Sequence, residues 1–239
     1  MKEQQLFSKM RQAIDRYKMI EAGDVVAVGI SGGKDSLTLL RGMVGLSKFY
    51  PIPFTVKAIT VDLGYEGTDY SKIKQLCEKL GVEYRIEYTK INTMLPKENP
   101  CSLCARLRKG ALNAAIKEMG CNKVAYAHHM DDVIETMMLS LVYEGRFSTF
   151  WPVTFLEGSD VTLIRPMIFV TESEVIGFKN KYDLPVMKSQ CDYEPETERA
   201  YIKQLIRDIN AHTRGVKKRM MTAILNGNLE GWDVKKTEN

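Results

Sequence analysis

Six consecutive residues, Ser31-Gly32-Gly33-Lys34-Asp35-Ser36, combine two glycines, two hydroxyls, an ammonium and a carboxylate. Glycine lets the backbone approach a ligand closely and turn its N–H groups toward it. The serines add hydroxyl donors and Lys34 adds a charge, a set that suits a pyrophosphate. The spacing is not that of a Walker A loop, which needs G-x-x-x-x-G-K-[ST]. The plain alternative is an ordinary strand-to-helix turn.

Two further stretches carry chemistry. Ala127-His128-His129-Met130-Asp131-Asp132-Val133-Ile134-Glu135-Thr136 places two imidazoles beside two carboxylates. They suit a ligand-binding edge, although Asp131 or Asp132 would also serve as a helix cap and the histidines as surface residues. Pro100-Cys101-Ser102-Leu103-Cys104, continuing through Arg106, Arg108 and Lys109, sets a C-x-x-C pair at a helix start. There the helix dipole and Arg106 would stabilise thiolates. A third thiol, Cys191, follows much later in the chain. Three cysteines can hold a 4Fe–4S cluster and leave one iron free, whereas structural zinc wants four ligands. The other reading is a dithiol redox pair at Cys101 and Cys104 with Cys191 in the core. Cys77 and Cys121 fall in or beside apolar helical segments and read as core.

These residues need a frame to position them. Residues 24–30 are a short apolar run, the pattern of a buried parallel strand, and the glycine loop follows directly. After it, the pattern predicts a helix at 36–47, a strand at 54–61 and a helix at 69–80 closed by Gly81. A strand at 84–88, a helix at 103–119 closed by Gly120, a strand at 123–127 and a helix at 131–143 complete the alternation. Such regular alternation predicts the α/β class, with an open, mostly parallel, doubly wound sheet. Ligands bind these sheets at the carboxyl ends of the strands, where the glycine loop and the paired histidines both fall. Ahead of the sheet, residues 6–20 carry apolar positions at helical spacing with basic residues between them. Beyond it, 147–161 reads as loop and turn around Trp151-Pro152 and Gly158-Ser159-Asp160, and 163–166 as a short strand ending at a proline. Residues 172–182, 196–209 and 216–226 read as helices. The expected division is a basic helix over 1–20, a nucleotide domain over 21–170 and a small helical C-terminal extension over 171–239.

Bulk composition fits this frame. The 239 residues are 44% hydrophobic and 27% charged, with a net charge of +4. That is ordinary for a soluble globular protein and permits a nucleic acid partner without demanding one. No apolar run approaches the roughly 20 residues needed to cross a membrane, and the basic N-terminus lacks an apolar signal region. Five cysteines, an odd number, argue against a disulfide framework and for a reducing, cytoplasmic setting. Basic residues cluster at Arg106, Arg108 and Lys109 and again at Arg214, Lys217, Lys218 and Arg219. They are either solvated helix faces or contacts to phosphates. The aromatic-bearing stretch 143–151, with Arg146, offers surfaces on which an extruded base would stack.

The hexapeptide resembles the S-G-G-x-D-S signature of the PP-loop ATP pyrophosphatase family. Members cleave ATP between the α and β phosphates and form adenylylated intermediates. The implied fold is the adenine nucleotide alpha hydrolase, or HUP-like, PP-loop domain. The resemblance implies that Ser31, Gly32, Gly33, Lys34, Asp35 and Ser36 bind ATP, with Asp35 close to Mg²⁺. It further implies that Lys34, Asp35, His128, Asp131 and Asp132 form the catalytic set. The paired histidines resemble the H-H-x-D-D-x-x-E/Q-T stretch of the tRNA-modifying branch. The whole order of motifs, from S-G-G-K-D-S through P-C-S-L-C-x-R-L-R-x-G and H-H-x-D-D to I-R-P and a third cysteine, is similar to the TtcA-type 2-thiocytidine tRNA synthetase family over residues 10–226. Within it, Cys101, Cys104 and Cys191 match the ligands of a 4Fe–4S cluster. The chain departs from that pattern in having one cysteine near the third ligand where two are common, and Ala127 where glycine is common.

What the resemblance implies is ATP-dependent tRNA thiolation. The C2 oxygen of a cytidine at tRNA position 32 would be adenylylated, and sulfur carried on the cluster or as a persulfide would displace AMP. The cofactors implied are ATP, Mg²⁺ and a 4Fe–4S cluster. The partners are tRNA and a sulfur donor, a cysteine desulfurase or inorganic sulfide, with a homodimer left open and no membrane. Lysidine synthetase shares the glycine loop and the histidines but leaves the three cysteines unexplained. The 2-thiouridine enzymes that carry cysteine clusters at both chain ends fit poorly. A non-catalytic, metal-stapled tRNA-binding module leaves the intact loop without a purpose.

Overall fold

The apolar run forms the central strand β1 (Asp24–Gly29), and its Val26, Ala27 and Val28 are fully buried. The computed structural model describes residues 1–98, 100–188, 191, 198–227, 229, 230 and 232. Helix α1 (Glu3–Tyr17) precedes β1; α2 (Lys34–Ser47), β2 (Phe54–Asp62), α3 (Ser71–Leu80), β3 (Glu83–Tyr88), α4 (Pro100–Glu118), β4 (Lys123–Ala125) and α5 (Met130–Tyr143) follow it. A hairpin of β5 (Val153–Leu156) and β6 (Val161–Ile164) comes next, then α6 (Glu172–Lys181), α7 (Glu198–His212) and α8 (Val216–Asn226).

The six strands lie in the order β3-β2-β1-β4-β6-β5. All pairings are parallel except β5 with β6. The chain winds outward from β1 through β2 to β3, then crosses back and places β4 on the other side of β1. The loops leaving β1 and β4 therefore diverge and open a crevice between them, the usual ligand position in such sheets. One sheet face packs Ala27, Ile59, Val124 and Leu163 against Leu112, Ala115 and Ile116 of α4. The other packs Val26, Val28 and Ala58 against α1, α2 and α5, and that core continues into α6, α7 and α8. Cys77 and Cys121 are both buried in these cores, as their apolar settings predict.

Several element ends shift by two or three residues from the sequence expectation, and three differences bear on the site. Helix α2 starts at Lys34, two residues early, because Gly33 is already its N-cap. Helix α4 starts at Pro100, where a proline suits the first helical turn, so Cys101 and Cys104 lie three apart on one helical face. Residues 153–156, expected as loop, form β5. Backbone pairing with β6 supplies that strand with partners that its own four residues do not advertise.

Candidate active site

The glycine loop is organised by its own serines. Ser36 Oγ accepts from the Ser31 N–H and hydroxyl, both at 3.2 Å, and donates to the Gly33 carbonyl at 3.0 Å. Ser31 Oγ accepts from the Gly33 N–H at 3.3 Å. Gly32 holds φ +80°, which only glycine takes without cost. From outside, Met187 closes on the loop, its N–H donating to the Gly32 carbonyl at 3.0 Å. Helix α2 then points its positive end and its free N–H groups at the crevice, a ready anion site.

Lys34 Nζ lies 3.0 Å from Asp35 Oδ2 and 3.6 Å from Glu172 Oε1. Burial lowers the Lys34 pKa, but the two carboxylates more than restore it and keep the ammonium charged. Asp35 Oδ1 is buried and has no hydrogen-bond partner. His129 Nε2 is near it at 3.7 Å, beyond hydrogen-bond reach. An orphaned carboxylate oxygen at the mouth of an anion site suits a Mg²⁺.

A cavity of about 480 Å³ opens here, with Ser31, Asp35 and Ser36 on one side and His128, His129 and Asp132 on the other. Arg108 and Lys109 of α4 form a third wall. A second cavity, of about 330 Å³, shares Ser31 and Arg108 with the first and is lined also by Gly33, Lys188 and Cys191.

His129 and Asp132 cap α5 reciprocally. The His129 N–H donates to Asp132 Oδ2 at 2.8 Å, and the Asp132 N–H donates to His129 Nδ1 at 3.3 Å. His128 accepts on Nδ1 from Arg165 Nε at 3.3 Å. Burial first, and the Arg165 charge second, push the His128 pKa down to about 4, which leaves the ring neutral at ordinary pH. Asp131 does not line the crevice. Its carboxylate is buried and takes Lys217 Nζ at 2.5 Å and the Glu172 N–H at 2.7 Å. The structure thus brings Ser31, Asp35, Ser36, His128, His129 and Asp132 to one crevice, pairs Lys34 with Asp35 and Glu172, and gives Asp131 to a helix junction. Lys217, expected among residues free to meet phosphates, is held in that same ion pair.

The thiols gather on the α4 side. Burial raises the Cys104 pKa, Arg108 lowers it, and Cys191 and Cys101 raise it further, so both other cysteines are within electrostatic reach of Cys104. The cation that acts on this thiol is Arg108, one turn along the same face, rather than Arg106. Among the described residues no three His, Cys, Asp or Glu side chains are drawn tightly enough together to hold a metal ion. Three soft thiols beside a cation suit an iron–sulfur cluster in donor type and in position, although they are not closed into a coordination shell.

Arg165 enters the sequence reading only as the middle residue of the I-R-P motif, and neither it nor Glu172 is given a role there. Glu172 gave no signal beyond its place in a helical first turn.

A PP-loop domain model matches residues 3–209. The tRNA-cytidine(32) 2-sulfurtransferase of Pelobacter propionicus is 32% identical over 95% of this chain and 88% of its own length. The protein of the same name from Aliivibrio salmonicida is 34% identical over 94% of this chain and 78% of its own. Among solved structures, the U34-tRNA thiolase NcsA from Methanococcus maripaludis with its [4Fe-4S] cluster superposes with a TM-score of 0.74 at 27% identity, covering 95% of this chain and 80% of that one.

Proposed function

The chain belongs to the PP-loop family, and from that premise we propose that it is an ATP-dependent tRNA thiolase that activates C2 of cytidine 32 by adenylylation and replaces its oxygen with sulfur. The observation that carries the reading is the shared crevice. The phosphate-gripping loop, the paired histidines and a cavity lined by Cys191 meet at the carboxyl edge of the sheet. Relatives at 32% and 34% identity, both named tRNA-cytidine(32) 2-sulfurtransferase, supply the base.

In this mechanism the Ser31 and Ser36 hydroxyls, the N–H groups at the start of α2 and the Lys34 ammonium bind the β and γ phosphates. They stabilise charge as it develops on the departing pyrophosphate. Asp35, through its unpartnered oxygen, would hold Mg²⁺, which neutralises phosphate charge. His129 and Asp132, locked to each other by the cap, fix the opposite wall, and Arg108 and Lys109 draw the tRNA backbone toward it. Cys101, Cys104 and Cys191 would hold a 4Fe–4S cluster, and bound there it would supply sulfur at the side of the crevice where the activated base must lie. The α5–α8 junction at Asp131 keeps the C-terminal helices against the loop through Glu172.

The enzyme works in the cytoplasm in this reading, with sulfur from a cysteine desulfurase or from inorganic sulfide. No helix among the described residues is long and apolar enough to cross a membrane. A second reading, thiolation of a uridine, is favoured by the likeness to the U34-tRNA thiolase. Nucleoside analysis of tRNA after turnover separates the two. The loop assignment is tested with Asp35→Ala, which removes AMP and pyrophosphate formation in the presence of tRNA and leaves the circular dichroism spectrum near that of the wild type. Undiminished AMP formation by a folded Asp35→Ala protein would remove the PP-loop from the mechanism.

A further inference from the structure

Arg165 is 9% exposed and forms no salt bridge among the described residues. An arginine buried without a carboxylate is costly to keep. Its contacts explain where it points. One Nη donates to the Trp151 carbonyl and, at 3.1 Å, to Thr154 Oγ1. Its guanidinium carbon lies 4.9 Å from the centre of the Phe150 ring. The Phe150 ring in turn sits 4.8 Å from the His128 ring. The remaining contact is Nε, donating to His128 Nδ1 at 3.3 Å. Arginine has no lone pair to offer, so Nδ1 must be the acceptor in that contact and must carry no proton.

A neutral imidazole with a bare Nδ1 carries its proton on Nε2. The His128 ring lines the crevice opposite Ser31 and Asp35. With Nδ1 turned to Arg165 and one face against Phe150, Nε2 is the polar atom left to the crevice. We propose that Arg165 is a positioning residue that fixes His128 as the Nε2–H tautomer, and that this N–H donates a hydrogen bond to a phosphoryl oxygen of the nucleotide bound in the crevice. The low His128 pKa agrees with a ring that stays a neutral donor. The charge of Arg165 behind the ring strengthens the donor and turns the positive end of the pair toward the anion. His128 so held cannot accept a proton as a general base, because one nitrogen is occupied and the other already protonated. The inference rests on reading the crevice as the nucleotide site.

The chain has three histidines, so ¹⁵N-labelled histidine gives a spectrum simple enough to assign. In the ligand-free wild-type protein, His128 shows a protonated Nε2 and a bare Nδ1, and Arg165→Met mixes in the other tautomer. A wild-type His128 with Nδ1 protonated overturns the proposal without any turnover measurement, and so leaves the thiolase reading standing. Kinetics supply the second arm. Glutamine places an amide N–H near the position of Nε2, so His128→Gln lowers kcat/KM for AMP formation about tenfold and His128→Ala about 10²-fold. His128→Gln falling as far as His128→Ala indicates proton transfer instead, and overturns the donor role even if Arg165→Met fails to fold.

Discussion

Gly32 holds φ +80°, and a Cβ added to it would lie 3.1 Å from Met187 Cβ. Both facts weigh on the same residue. Gly32→Ala costs about 1–2 kcal/mol in backbone strain alone, and relief requires Met187 to move off the loop. Urea unfolding reads the first effect, and calorimetric titration with a non-hydrolysable ATP analogue reads weaker binding from the second. An alanine variant that matches the wild type in both would show that the loop adopts another conformation. His128 gives a pH test. Its folded pKa is pushed down to about 4 from 6.5. The unfolded chain therefore takes a proton near 6.5 that the folded chain refuses until about 4, and stability falls as pH drops through that window. His128→Gln removes this contribution. The difference in unfolding free energy between wild type and variant should change between pH 7 and pH 4, and a constant difference would mean that His128 titrates normally.

At the scale of elements, the junction of α5, α6 and α8 hangs on Asp131. Burial would raise its pKa, but the Lys217 ion pair and the Glu172 N–H outweigh burial and hold it below the usual range. A carboxylate lowered in this way stabilises the fold above its unfolded pKa and loses that contribution as pH falls through the folded value. Removing Lys217 leaves the charge buried and unpaired. Lys217→Met costs about 2 kcal/mol, less than a fully buried pair would, because the lysine side chain is 30% exposed. Lys218→Met, one residue along and exposed, leaves the thermal midpoint unchanged. Equal midpoints for the two variants would mean that the Asp131 tie contributes nothing. This junction also marks where sequence stops being informative. The strand-to-helix alternation was legible because each buried strand carries its own apolar run, and the loop because six adjacent residues share one purpose. Asp131 joins the expected catalytic set only through the resemblance of its segment to the H-H-x-D-D motif. Its partner is 86 residues away, and only the packing of α8 on α5 reveals it. Strand β5 was hidden likewise. It is four residues long between Trp151-Pro152 and Gly158-Ser159-Asp160, and it exists by pairing with β6. That hairpin holds Thr154 and Arg165 behind His128, so the part of the crevice wall that sequence missed is the part built by a non-local contact.

The molecule as a whole gathers its chemistry at one edge of one sheet. The strand order reverses beside β1, and the loop after β1, the histidines after β4 and Ala105, Arg108 and Lys109 of α4 all face the resulting crevice. Cys191 reaches the same place from the C-terminal side, through a segment whose Met187 is hydrogen-bonded to Gly32. An activated base bound against the phosphate loop would therefore have Cys191 in the neighbouring cavity, with Cys104 within electrostatic reach of Cys191. Cys77 and Cys121 lie in the two cores, away from this edge. The five cysteines thus divide by position, and the division predicts metal loading. Anaerobic reconstitution of the wild-type chain with iron and sulfide should give about four irons per chain and the broad visible absorption of a 4Fe–4S cluster. Cys101→Ser, Cys104→Ser and Cys191→Ser should each lose most of that iron and colour. Cys77→Ser and Cys121→Ser place a hydroxyl in an apolar core and should lower the melting temperature, yet the folded fraction should load as the wild type does. Zinc competes for thiolates, so metal analysis must accompany the spectrum. If Cys191→Ser kept its full iron content, the cluster would not depend on Cys191. The approach of that residue to the phosphate loop would then need another explanation.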